Sequence, residues 1–210
     1  MSSPAWHRVT GRGVVALLAM AVTMSACSVL DPRPDSSRYF VLRPQAVADD
    51  APALADLVLG VGPVTVPDYL DRIEMLDLIG PYELRFSASH RWAEPLGTQL
   101  RGTLEENLAA LLRPDAIVAY PWFEREGVGL QVDVAFDPIR VDDQGAWQGS
   151  ATWVLRDGVT RAPLERNKME FDLGRDTIPP EQVASGWSAE LERLSAEIAA
   201  AVRRHHPRSP

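Results

Sequence analysis

Cysteine is almost missing: Cys27 is the one thiol among 210 residues. Disulfides within the chain are thereby excluded, and stability has to come from packing. Lysine is as scarce, Lys168 standing beside twenty arginines; that reads as codon usage in a GC-rich genome and carries no chemistry. Positive charge is short overall, with 21 Lys and Arg against 29 Asp and Glu. Phosphate binding needs a concentrated basic face, so nucleic acid is a poor partner for this chain. No apolar run reaches the roughly 20 residues that cross a bilayer.

What is present begins near the start. Residues 14–24 are apolar except for Thr23, preceded by His7, Arg8 and Arg12 with no acid, and followed by Ser25-Ala26-Cys27. A positive segment, a short apolar segment and small residues at a cut form a secretory signal peptide. Met24-Ser25-Ala26-Cys27 resembles a bacterial lipobox, in which diacylglycerol is attached to the thiol and the chain is cut before the cysteine. Leu is more usual where Met24 stands. One acyl chain anchors only marginally and two or more hold firmly, at about 0.8 kcal/mol per buried methylene. A lipobox cysteine carries a diacylglycerol and an N-acyl chain. Ser28 rather than Asp follows it, which by analogy with enteric bacteria directs the protein to the outer membrane, facing the periplasm. The expected division is a signal peptide over 1–26, a lipidated N-terminus and tether over 27–37, one domain over 38–206 and a tail over 207–210. Removal of the signal leaves 184 residues with nineteen basic against twenty-nine acidic, a net charge of −10.

Along the chain, Asp31-Pro32-Arg33-Pro34-Asp35 resists helix and stiffens the tether. Residues 38–42 read as a strand. Residues 57–66 carry apolar side chains at both parities, which predicts burial on both faces. Within them Gly60-Val61-Gly62-Pro63 lacks the third glycine of a dinucleotide fingerprint, so close backbone packing is the better reading. Residues 73–78 and 83–87 form a hairpin around Gly80-Pro81. Pro95 then opens a helix whose stripe is Leu96, Leu100, Leu104, Leu108, Leu111 and Leu112, with Gln99, Glu105 and Glu106 expected on the wet face, and Arg113-Pro114 closes it. Residues 115–120 are a short apolar strand. The alternating 128–136 run changes parity after Pro138, which predicts a bend. Strands around 147–155 and 169–173 follow, and a last helix begins at Ile178-Pro179-Pro180 with the stripe Trp187, Leu191, Leu194, Ile198 and Val202. Arg203, Arg204, His205 and His206 close it and complement its dipole. The fold class is α/β: a single domain with a mixed, largely antiparallel sheet covered by two long amphipathic helices.

Catalytic signatures are lacking. His7 leaves with the signal, His90 stands alone, and adjacent His205 and His206 point apart, so no metal set forms. No serine lies in a Gly-x-Ser-x-Gly elbow. Glu105 with Glu106, and Asp133 with Asp137, are expected on solvated faces. The sequence therefore predicts no enzyme, no metal and no cofactor beyond the lipid on Cys27.

Two aromatic-polar stretches stand out: Arg91-Trp92-Ala93-Glu94-Pro95 before the first helix, and Tyr120-Pro121-Trp122-Phe123 at a strand end. Core packing and capping is one reading of both. A contact surface is the other, because Trp, Tyr and Arg anchor interfaces.

The lipobox, Tyr39-Phe40-Val41-Leu42, Val61-Gly62-Pro63-Val64 with Val66-Pro67-Asp68-Tyr69-Leu70-Asp71-Arg72, Arg91-Trp92-Ala93-Glu94-Pro95-Leu96 with Glu106-Asn107-Leu108, and Tyr120-Pro121-Trp122 resemble, in that order, the PqiC family. These are auxiliary lipoproteins of ABC-type and MCE-type (mammalian cell entry) transport systems. The likeness is weakest over 73–81 and after Arg203. It implies a lipoprotein on the periplasmic face of the outer membrane that docks an MCE-domain periplasmic tube protein and its inner-membrane transporter, which carry phospholipid or other hydrophobic cargo. It also implies a homo-oligomeric ring, and partner contacts through Tyr69, Asp71, Arg72, Arg91, Trp92, Glu94, Tyr120 and Trp122. The alternative is a periplasmic lipoprotein that binds a lipid or small molecule in its own pocket.

Cys27→Ala is expected to leave a folded precursor that no longer fractionates with the outer membrane. A variant that still pellets there after a high-salt wash contradicts the anchor.

Overall fold

The computed structural model describes residues 36–206 except 49, 81, 123–126, 143, 176 and 177. The signal peptide, Cys27, the tether up to 35 and the 207–210 tail lie outside the described residues. The first strand, β1 (Arg38–Phe40), stops two residues short of its expected end. Its backbone leaves the sheet because side chains of two helices take its amides. The amide of Leu42 donates to Gln99 Oε1 at 2.8 Å, that of Arg43 to Ser188 Oγ at 3.1 Å, and those of Gln45 and Ala46 to Asn107 Oδ1 at 3.0 and 3.1 Å. These acceptors belong to α1 (Leu96–Leu112) and α2 (Pro180–His205). Gln99, expected on the wet face of α1, is buried for this reason.

Between β1 and α1 come β2 (Val58–Thr65) and the hairpin β3 (Glu74–Gly80) and β4 (Glu83–Trp92). After α1 follow β5 (Ala116–Ala119), β6 (Leu130–Phe136), β7 (Arg140–Val141), β8 (Ala146–Asp157) and β9 (Pro163–Arg175). The strands divide into two groups that the sequence pattern does not separate. One is the three-stranded sheet β1-β4-β3; in the other, β2 lies in parallel between β5 and β6, and β8 pairs antiparallel with β6, β7 and β9. The bend expected near Pro138 is the gap between β6 and β7. Phe136 pairs with Ala151 and Val141 with Trp147, so both follow β8 but not as one strand.

The core lies where both helices meet one face of the larger sheet. Leu96, Leu100, Leu104, Leu108 and Leu112 of α1 are buried, as are Leu191, Leu194, Ile198 and Val202 of α2, against Val132, Val134, Trp153 and Leu155. Each such side chain contributes about 1.5–3 kcal/mol by leaving water. Phe136 and Phe171 pack on Trp187 with ring centroids 5.8 and 5.5 Å apart. The helices run side by side in the same direction. Leu96 and Val183 line one small space near their starts, while Arg203 Nη2 near the end of α2 donates to the Leu111 carbonyl at 2.8 Å. The last turn of α2 is tied down rather than loose: His205 faces Glu165 and His206 faces Asp56, each at 3.0 Å. Among the described residues no helix is long and apolar enough to cross a membrane.

Leu104→Ala, in the middle of the α1 stripe, is expected to lower the unfolding free energy by about 2–5 kcal/mol in urea titration. A loss below about 1 kcal/mol is the size of a single trimmed methyl and would place the core elsewhere.

Candidate docking surface

The start of α1 has no cap of its own, since Pro95 precedes it without a side-chain hydrogen bond. A turn more than twenty residues upstream supplies one. Asp71 Oδ1 accepts from the Gly97 amide at 3.2 Å, and the Arg72 carbonyl accepts from the Leu96 amide at 3.4 Å. A carboxylate here satisfies an orphan amide and sits at the positive end of the helix dipole. The Trp92 amide donates to the Ile73 carbonyl at 2.6 Å, which holds the end of β4 against the same turn. Six of the sequence-selected residues, Tyr69, Asp71, Arg72, Arg91, Trp92 and Glu94, are thereby gathered at one end of the domain.

Their roles differ. Trp92 is 3% exposed and packs beneath the surface beside Leu70, Trp147 and Trp187, so it supports a contact face rather than offering one. Tyr69 is a strut: its hydroxyl accepts from the Ile139 amide at 2.9 Å, and burial pushes its pKa up against that bond. Arg72 lies over the Phe86 ring at 4.5 Å and pairs with Glu74 at 3.2 Å. The Glu74 carboxyl is held below its ordinary value first by its own backbone amide, then by Arg72, with the charge of Arg91 adding. Arg91 is half-buried, and its Nε has no hydrogen-bond partner. Glu94 is exposed.

Tyr120 and Trp122 form a second cluster, on the face of β2 turned away from the helices. Glycine makes their seat. A Cβ on Gly60 would stand 3.0 Å from Trp122, and one on Gly62, at φ +119°, would stand 2.6 Å from Tyr120 Cβ. The two rings meet edge to face at 5.4 Å, Trp122 Nε1 donates to the Val118 carbonyl at 3.1 Å, and the Arg161 guanidinium lies 5.5 Å from the Trp122 ring. Tyr120 is 42% exposed.

Arg101, which sequence reasoning passed over, lies between the clusters. Its Nη1 donates to the Tyr120 carbonyl at 3.3 Å, and its Nε stands 3.8 Å from Glu105. With Thr65, Asp71, Thr98 and the backbone around Gly97 it lines a shallow groove of about 280 Å³. Its i,i+4 pairing with Glu105 reads in sequence as an ordinary helix-surface pair, which is why nothing marked it. Burial pushes the Glu105 carboxyl above its ordinary value, Arg101 only partly opposing this and Glu106 reinforcing it.

Among the described residues, the concavities near this surface are small or polar. The space enclosed by Trp92, Trp147 and Trp187 is about 20 Å³, the scale of a single water. A concavity of about 700 Å³ elsewhere is open and lined by Asp137, Arg140, Lys168, Glu170, Glu190 and Arg193. Among the described residues no His, Cys, Asp or Glu group could hold a metal ion.

A family model described as the ABC-type transport auxiliary lipoprotein component matches residues 40–199, nearly the whole domain. The chain belongs to that family. The PqiC-like motifs pointed to it, and it makes the protein an auxiliary lipoprotein of a transport system, lipid-anchored at the periplasmic face of the outer membrane. A crystal structure from Xanthomonas campestris superposes on the auxiliary lipoprotein with a TM-score of 0.64 at 12% identity, over 79% of this chain and 94% of the other. A second, of an uncharacterized protein, gives 0.57 at 21% identity over 75% and 99%. Both share the fold. No curated protein sequence matches the chain.

Two substitutions test the local physics. Asp71→Ala removes the helix cap and is expected to cost about 1 kcal/mol, read by thermal or urea unfolding. Glu105→Gln is expected to stabilise at neutral pH. The native pKa of Glu105 is raised, so its contribution is fully present below the ordinary 4.5 and is lost as pH rises through the raised value. The gain over wild type should therefore vanish in acid; a gain that persists below pH 4.5 would contradict the burial argument.

Proposed function

We propose that the auxiliary lipoprotein is a docking part: held at the outer membrane through Cys27, it grips the outer end of an MCE-domain periplasmic tube whose inner-membrane transporter moves hydrophobic cargo. The observation that carries this is the rim at the start of α1: Arg101 lines a shallow groove with Asp71 and Thr98, reaches the Tyr120 carbonyl on one side, and has the capping turn with Arg72, and Glu94 before the helix, on the other. Tyr and Arg over rigid packing are suited to anchoring a protein partner, whereas a carrier needs an apolar cavity of some hundreds of Å³. Tyr69 and Trp92 set the rim from beneath, Asp71 fixes its helix, and Trp122 backs Tyr120. Several copies arranged as a ring would match the symmetry of a tube.

A photo-crosslinking residue in place of Tyr120 is expected to join the lipoprotein to the MCE-domain protein in cells. The pair Arg101→Glu with Tyr120→Ala should weaken capture of that protein at least tenfold, about 1.4 kcal/mol, with unfolding close to wild type. Unchanged capture, or one lipid per chain in native mass spectrometry of delipidated protein, would instead favour a carrier.

A further inference from the structure

We propose that the head of the β3–β4 hairpin, through Tyr82 and Leu84, is a second membrane contact, resting on the lipid surface that holds the N-terminal anchor. This inference rests on the anchored reading given above. β1 pairs in parallel with the last three residues of β4, Arg38 beside His90 and Phe40 beside Trp92. The chain that precedes Arg38 therefore enters from the side of β4 that leads to the hairpin head, not from the Trp92 end. Ten residues separate Cys27 from Arg38, a reach of at most about 36 Å. From His90 back to Glu83, β4 spans roughly 23 Å. The head thus lies within the tether's reach, on the side of β4 from which Ser37 leads into Arg38.

The composition of the head fits that place. Tyr82 is 100% exposed and Leu84 45% exposed, and Leu78-Ile79-Gly80 just before them carry no charge. Gly80-Pro81 are ordinary turn residues, but a fully exposed tyrosine beside them is not, and tyrosine is enriched where protein meets the bilayer interface. Asp77 and Glu83 flank the head, and Arg85 stands 3.9 Å from Glu83. There is thus no basic cluster to draw the head to anionic lipid, so the contact is apolar and insensitive to salt. Its apolar area is too small to bind alone; the anchor keeps the surface at high effective concentration beside it. The contact would set the tilt of the domain, leaving the Trp92 end of the hairpin and the docking rim pointed into the periplasm.

The test uses the acylated full-length mature protein. Because Cys27 is the only cysteine and acylation consumes its thiol, Tyr82→Cys or Leu84→Cys can each take one environment-sensitive fluorophore. Val159→Cys, in the turn after β8 and 84% exposed, is the control. In phosphatidylcholine vesicles, labels at 82 and 84 should shift to the blue and be quenched by nitroxide-bearing lipid, equally at low and high salt. The label at 159 should do neither. Protein that floats with the vesicles while the labels at 82 and 84 behave like that at 159 overturns the membrane contact. If those labels become shielded only when the MCE-domain partner is added, the head is a protein contact, and the inference is again overturned. Protein that does not float and shows an unmodified Cys27 by mass spectrometry sinks the anchor itself, a separate failure. Tyr82 exposes its whole side chain, so its replacement leaves the fold intact.

Discussion

The arrangement turns on a few backbone amides. Four N–H groups between Leu42 and Ala46 are satisfied by Gln99 and Asn107 of α1 and Ser188 of α2 rather than by a neighbouring strand. The Leu42 bond is buried and the other three partly so; a buried amide without a partner costs about 1–3 kcal/mol, so these bonds tie the segment to both helices. Asn107 is fully buried for its oxygen alone, its Nδ2 having no partner. The segment that follows β1 is therefore wedged against both helices. Arg38 pairs with Glu181 at the start of α2, and the Phe40 carbonyl accepts from the Ala93 amide at 2.9 Å, just before α1.

Rigidity at that point suits a part whose value lies in position. The α1 start is fixed by Asp71 and the Arg72 carbonyl, β4 is fixed to the same turn through Trp92, and Arg101 joins the helix to the Tyr120 backbone. The polar and charged side chains of the rim stand on this frame with little freedom left to lose, which is how an interface keeps its ordering cost low. The one strained note is Glu105, whose charge is disfavoured by burial. Its nearest cation is Arg101, 3.8 Å away, which only partly offsets that burial.

Much of the fold was legible because it is periodic. Leucines every four residues gave α1, the Trp187 to Val202 stripe gave α2, and apolar residues at both parities announced that β2 is covered on two faces. The parity change after Pro138 became the β6–β7 break. What stayed hidden depends on partners far along the chain. Gln99 looks like any polar helix residue until an extended segment some sixty residues earlier lies against it. Asp71 caps a helix that starts more than twenty residues later, and Trp92 looks the same in sequence whether it faces a partner or a core. Gly60 and Gly62 could be read as close-packing positions, but not that Tyr120 and Trp122 were what they admit. For the site, therefore, the stretches were right and the roles within them were not distinguishable, since residue type fixes what a side chain can do but not which way it faces.

Electrostatics sharpens the question of orientation. The chain carries a net −8, so near a leaflet with any anionic lipid the bulk of the domain is repelled beyond about a Debye length, near 8 Å in physiological salt. Attachment at one point alone would then leave the domain free to turn, and a docking rim on a freely turning body meets its partner only in a fraction of its orientations. Apparent affinity falls by that fraction. A chain that must be acidic and anchored at once thus gains from a second, uncharged point of rest. The β3–β4 hairpin is built to supply it, because its base is bonded to the turn that caps α1 while its head lies seven residues of strand away. One element then sets both the height of the rim above the lipid and the direction in which it faces.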